Sequence, residues 1–531
     1  MKNLLNIIVL GCLIIGALKG QVINNNGSGL SGTNGFTLNN NGTNIPFNPT
    51  SPNAPSNSGA PQGLQDRGVF WLHGLGGDHH SWSKAADASQ HGRALNFASK
   101  GYKINSHTTG LTYSEKSTLL LAAQDVRGFI GREATQQRQN DVDPKNNFII
   151  AHSQGGLVSQ ALLYKDFCFD PNIGGPDYGG IVTFGSAHQG AMIINNAKKI
   201  QSWVESGCSD LAAGPAENLR NSFVGFLLKF FVDESKNPLN PANIDSLCTN
   251  FVGKLIDIVD LLKPITKDYM VQGKDGVLNE FKECIEANAD EIKKVAFYGI
   301  EPTKDLPWRT LQWMMVEDVN SVDKFQANDD KSFAEVIHNI KNDYVKEIVV
   351  RQNTVSYLET VHGMPCSWLD WILKLNLCLT YDKKYWQLKD EIGEYQKGVR
   401  WFDSADDKWE EIIGALQITE KKKYFCECIS NNNEEIKEIT DPAECPLRKG
   451  SKKCHILEEI EYIKSYKPSD GVVLAESASE FPGATTLQPG GPSRELTNSS
   501  HMQMRNDDNL RQKLTKLYNG DYNLFFKTYL R

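Results

Sequence analysis

Three residues far apart in the chain have the types needed for one kind of chemistry: Ser153, Asp470 and His501. A serine hydroxyl is a poor nucleophile until a histidine takes its proton, and a carboxylate must hold that histidine in the right tautomer. Such a set attacks an acyl carbonyl and forms a covalent acyl intermediate. Ser153 stands in FIIAHSQGG (residues 148–156), Asp470 in SDGVV beside a glycine turn, and His501 in SHMQM before the last apolar helix pattern. The order serine, acid, histidine is the one used when the serine sits on the strand-to-helix turn of a parallel sheet. Glu301, just after the run VAFYG, is a rival acid. His362 in TVHGMP is a rival base, but it precedes Asp470 in the chain.

The elements around Ser153 supply the turn. Residues 148–151 form an apolar run suited to a strand buried on both faces. Leu157, Val158, Ala161, Leu162 and Leu163 then lie on one stripe of a helix. The serine falls between them, and small residues two before and two after it, Ala151 and Gly155, let the backbone crowd. Upstream, residues 68–72 (GVFWL) read as another buried strand that runs into His73-Gly74-Leu75-Gly76-Gly77. A glycine-rich loop there passes near the serine and offers a backbone N–H, so Leu75 and Gln154 are the candidate oxyanion donors. Asp78, His79 and His80 are read as a polar loop, because adjacent side chains diverge and no third metal ligand stands at a helical spacing. His152 and His188 are read as structural or pocket-lining, and Trp401 and Trp409 as core of an insertion.

Alternating units continue on both sides, with a helix over 81–99, a strand at 102–106, a helix over 114–137 and strands at 180–184 and 295–299. Repeated βα units mean a parallel sheet wrapped by helices. Two insertions interrupt them. Residues 196–292 contain apolar helical stretches with Phe226 and Phe230, a candidate cap and acyl-binding surface over the carboxyl ends of the strands. Residues 303–460 are rich in Trp and Tyr and end in a cluster of Cys426, Cys428, Cys445 and Cys454. That spacing lacks the paired CxxC of structural zinc sites and reads as a disulfide-stapled hairpin whose pairs the spacing does not assign.

Composition bounds the rest. At 531 residues the chain exceeds one simple core. A net charge of −8 gives no footprint for nucleic acid. Residues 1–20 read as a signal peptide, with Lys2, an apolar run and small residues before Gln21. A lipoprotein reading through Cys12 is disfavoured because the apolar run continues past it. Cleavage leaves ten of the 11 cysteines in an exported chain, where disulfides are allowed. No later stretch has the roughly 18 apolar residues of a membrane helix. Residues 21–66, rich in Asn, Gly, Ser and Pro, read as a flexible tether. The core is thus expected at 67–195, 293–302 and 461–531.

The motifs HGLGG, AHSQGG, FGSAHQGA, SDGVV and SHMQM, in this order, resemble the lipase and GPI inositol-deacylase-like branch of the α/β-hydrolases. The resemblance covers 68–195, 293–302 and 466–525. It implies the α/β-hydrolase fold, a mostly parallel sheet flanked by helices, here with large mainly helical insertions forming a cap. It implies Ser153 as nucleophile, Asp470 as acid, His501 as base, and Leu75 and Gln154 as oxyanion donors. Secreted bacterial lipases of similar pattern place a calcium-binding aspartate two residues after the histidine; this chain has Gln503 there, and neither metal nor cofactor is expected. The expected activity is hydrolysis of carboxylic, lipid-like acyl esters by an exported or cell-envelope protein, with an ester or lipid met at a membrane or lipid interface as partner. An acyltransferase of the same fold and a catalytically silent surface binding protein are the alternatives.

Overall fold

Short apolar runs buried on both faces build the centre of the molecule. In a computed structural model of the chain, the residues described are 36–38, 44–46, 67–75, 77, 81, 82, 85, 86, 89, 104–107, 118–170, 175–212, 266–301, 304–315, 331–362, 368–430, 433–450, 452–484, 493–505, 508–518 and 522. Within the Asn-rich segment, β1 (Phe36–Leu38) pairs antiparallel with β2 (Asn44–Pro46). Among the described residues the main sheet has six strands: β3 (Arg67–Leu72), β4 (Ile104–His107), β5 (Phe148–His152), β6 (Gly180–Phe184), β7 (Lys293–Ile300) and β12 (Glu495–Thr497). All pairs in it are parallel, in the spatial order β12-β7-β6-β5-β3-β4.

That order places a topological switch between β3 and β5. The chain leaves β3 toward one edge and, after β4, returns to build the other half. The loops leaving β3 and β5 therefore part at the carboxyl ends of the strands, where open α/β sheets hold their ligands. Both sheet faces are covered. Ile149 and Ala151 of β5, with Phe70, Leu72 and Ile181, pack under helices Leu119–Gln139, Gln154–Tyr164 and Val277–Ala287. Phe148 and Ile150, with Val69, Trp71 and Val182, pack on the other side against Trp82, Leu510, Leu514 and Tyr518. Each fully buried Leu, Ile or Phe contributes about 1.5–3 kcal/mol, so this alternation fixes the register.

The described parts of the insertions lie in two places. Helix Val277–Ala287 lies on the sheet face as the crossover between β6 and β7 rather than over the strand ends. A third core joins helix Ala197–Ala212, through Ile200 and Trp203, to helices Leu306–Met315, Lys331–His362, Trp368–Asp403 and Ala405–Ile413. Helices Lys331–His362 and Trp368–Asp403, of 32 and 36 residues, are each about 50 Å long at 1.5 Å per residue. Ala187, Ala191, Leu306, Trp308 and Val473 belong to the same core, so it rests on segments leaving the carboxyl ends of β6 and β7. Residues 213–265, with Phe226 and Phe230, lie outside the described residues.

The cysteine cluster lies in a separate antiparallel sheet of β8 (Leu416–Ser430), β9 (Asn433–Ile439), β10 (Arg448–Lys449) and β11 (Lys452–Tyr466). Among the described residues the disulfides are Cys426–Cys445 and Cys428–Cys454, with Cys168–Cys284 tying two helices of the sheet layer. Strand β11 runs to Tyr466, so residues 462–466 stay in the hairpin, and the sixth strand of the main sheet is β12. Among the described residues no helix is long and apolar enough to cross a membrane.

Candidate active site

Ser153 follows β5 directly, at φ 52° and ψ −121°, and Gln154 begins the next helix. A positive φ at a residue with a Cβ costs on the order of 1–3 kcal/mol and persists only where surrounding packing imposes it. Here the packing is the loop after β3. A Cβ on Gly74 would lie 2.9 Å from the Ser153 Cβ, and one on Gly155 would lie 2.8 Å from the carbonyl oxygens of Leu72 and His73. Only glycine permits that approach at both places. The Ser153 N–H donates to the Phe184 carbonyl at 3.1 Å, which pins the turn to β6.

The structure brings three of the sequence candidates into one hydrogen-bonded chain. Ser153 Oγ lies 2.9 Å from His501 Nε2, and His501 Nδ1 lies 2.8 Å from Asp470 Oδ2. Asp470 Oδ1 accepts the N–H groups of Val472 at 3.0 Å and Val473 at 2.7 Å. Because the carboxylate can only accept, it takes Nδ1–H and leaves Nε2 free to accept the serine proton. The His501 N–H also donates to the Asp470 carbonyl at 2.9 Å, so side chain and backbone hold the same pair together. Asp470 and His501 are both buried.

Gln154 occupies the first position of the helix, so its N–H is one of the unpaired donors at the positive end of the helix dipole. Its side chain donates to the Tyr269 hydroxyl at 2.5 Å, tying this end of the helix to helix Thr266–Tyr269. Leu75 lies on the loop whose Gly74 abuts Ser153. A hydroxyl facing an imidazole that a carboxylate holds can give up its proton to that imidazole, and the helix N-terminus beside it can stabilise negative charge on an acyl oxygen.

The rivals are placed elsewhere. Glu301 is buried in an ion pair with Arg309, and its N–H donates to the Ser469 carbonyl at 2.8 Å, so it braces the Asp470 turn from behind. His362 ends helix Lys331–His362, and its side chain lies outside the described residues, as do Asp78, His79 and His80. His188 is enclosed, with Nδ1 2.6 Å from Gln160 Nε2 and Nε2 2.9 Å from Thr183 Oγ1. Burial lowers it to about 3, which keeps it neutral and structural. A cavity of about 730 Å³ lined by His188, Gln189, Lys282 and Phe481 touches none of Ser153, Asp470 and His501. Gln503 accepts the Ser500 N–H at 3.4 Å while Ser500 Oγ accepts the Gln503 N–H at 3.4 Å, a reciprocal cap around His501.

Sequence reasoning missed two supports of the site. Trp409, assigned to insertion core, is buried and also donates its indole N–H to the Gly471 carbonyl at 2.7 Å. His152, assigned a structural part, donates from Nε2 to the His501 carbonyl at 2.7 Å. Its place next to Ser153 was the only available signal.

Fold and site together define an all-parallel, doubly wound α/β protein with a Ser-His-Asp hydrogen-bonded chain at the carboxyl ends of its strands. No protein-family profile and no curated protein matches the chain. Among solved structures it is similar to the peroxisomal alpha-beta-hydrolase Lpx1 from Saccharomyces cerevisiae, with a TM-score of 0.23 and 13% identity. The match covers 44% of this chain and 63% of that one, less than two thirds of its length.

Proposed function

We propose that the chain is a serine hydrolase of the α/β-hydrolase superfamily that cleaves carboxylic esters through an acyl-enzyme. The observation that carries this reading is the Ser153–His501–Asp470 chain, at 2.9 and 2.8 Å, on a strained strand-to-helix turn. Ser153 Oγ attacks the ester carbonyl as His501 Nε2 takes its proton, and Asp470 stabilises the imidazolium. The N–H groups of Gln154 and Leu75 receive the oxyanion. The imidazolium then protonates the leaving alcohol, and water repeats the cycle on the acyl group. Export is part of the same proposal, supported by the three disulfides among the described residues and by the apolar leader.

Labelling with a fluorophosphonate and mapping the adduct tests the nucleophile: modification anywhere but Ser153 refutes it. For the substrate we propose lipid-like acyl esters, with Phe226 and Phe230 lining the acyl path. Each buried methylene is worth about 0.8 kcal/mol, so replacing both with Ala should reduce the preference for decanoate over acetate esters by about tenfold or more. Equal loss of kcat/KM at every chain length would remove these residues from the acyl site.

A further inference from the structure

With Ser153 as nucleophile and His501 as base, the geometry points to His152 as a positioning residue that fastens the loop of the base to the strand of the nucleophile. His501 stands 348 residues from Ser153, on a loop between β12 and helix Asp508–Tyr518. A loop histidine must be held to within a few tenths of an ångström if Nε2 is to accept a proton at the instant of attack. Its backbone N–H is anchored to Asp470, but that bond fixes it only to the acid. The His501 carbonyl is the remaining handle, and it accepts from His152 Nε2 at 2.7 Å. Because His152 and Ser153 are neighbours on the turn, this one bond transmits the position of the nucleophile directly to the base.

The surroundings make the device rigid and one-sided. His152 is buried, its ring 4.7 Å from that of His501 and packed edge-on against Trp82 at 6.2 Å. Donation to a carbonyl requires the proton on Nε2. The opposite nitrogen, Nδ1, has no hydrogen-bond partner among the described residues and faces Gly74, where a Cβ would lie 3.1 Å away. A second proton would therefore be buried without an acceptor. Burial first, then the nearby His501 and Arg505 charges, hold His152 well below the usual histidine range. It remains a neutral donor and adds no positive charge beside the imidazolium that forms at His501 during attack.

The test uses the full chain and a short p-nitrophenyl ester. His152→Phe keeps the ring against Trp82 and removes the donor; kcat should fall about tenfold to a hundredfold, the effect of displacing the base from its attack geometry, with KM within about twofold. His152→Gln, a neutral donor of similar reach, should restore kcat to within about threefold of wild type. In a His501→Ala background His152→Phe should cost nothing more, because its effect passes through His501. Unchanged kcat in His152→Phe, no rescue by glutamine, or the same loss without His501 would overturn the assignment, and His152→Leu makes the same comparison should the phenylalanine variant not fold. Failure of the underlying reading is separately visible, since Ser153→Ala would then stay active.

Discussion

The indole N–H of Trp409 donates to the carbonyl oxygen of Gly471 at 2.7 Å, which fastens helix Ala405–Ile413 of the second insertion to the turn that carries Asp470. The insertion is thus part of the support of the site. Trp409→Phe keeps most of the buried ring and removes the donor, so it should cost about 1–2 kcal/mol of stability. It should also lower kcat several-fold by loosening Asp470. Denaturant unfolding and steady-state kinetics check both, and wild-type values for the two would show that the bond is incidental.

Ser153→Ala should fold and lose ester hydrolysis by several orders of magnitude, since the three side chains act as a unit. Ser153→Gly should be equally inactive and more stable than the alanine variant by about 1 kcal/mol, because glycine is unstrained at φ 52°. Thermal unfolding of the pair reads this difference. For the acid, Asp470→Asn should reduce kcat far more than Glu301→Gln. The reverse ranking would move the acid to Glu301.

Stability should depend on pH through Glu410. Burial, with the charges of Asp406 and Asp407, raises its carboxyl to about 7, and neither oxygen has a hydrogen-bond partner among the described residues. The unfolded group titrates at about 4.3, so between there and pH 7 the folded chain holds a proton that the unfolded chain has released. Its contribution is most favourable below the unfolded value and is lost as pH rises toward 7. Glu410→Gln should therefore gain about 2 kcal/mol relative to wild type at pH 8 and little at pH 4.5. A gain of equal size at both pH values would refute this account.

Removing Cys168–Cys284, whose partners are 116 residues apart, should cost about 2–5 kcal/mol. Both ends lie in the layer packed on the sheet, so midpoint denaturant and activity should fall together in Cys168→Ser. Replacing Cys426 and Cys445 should leave ester hydrolysis unchanged, because the hairpin carries none of Ser153, Asp470 and His501. Loss of hydrolysis in that double variant would connect the hairpin to the site.

The turn at Ser153 was readable from residues 148–163, because a buried run followed by a helical stripe is a local pattern with its own period. Asp470 and His501 were readable as types in the right order. Their approach to Ser153 was not, since it depends on β7 and β12 pairing beside β6 across two insertions. Three-residue β12 has no period to detect, and its place comes from parallel pairing with Tyr298, Gly299 and Ile300. Likewise, apolar spacing marks Val277–Ala287 as a helix but is the same whether that face meets the sheet or a cap. The disulfide partners, the Trp409 bond to Gly471 and the His152 bond to His501 are contacts between residues distant in the chain. Sequence determined which segments had to bury a face; tertiary packing decided against what, because a hydrophobic stripe specifies burial and carries no address.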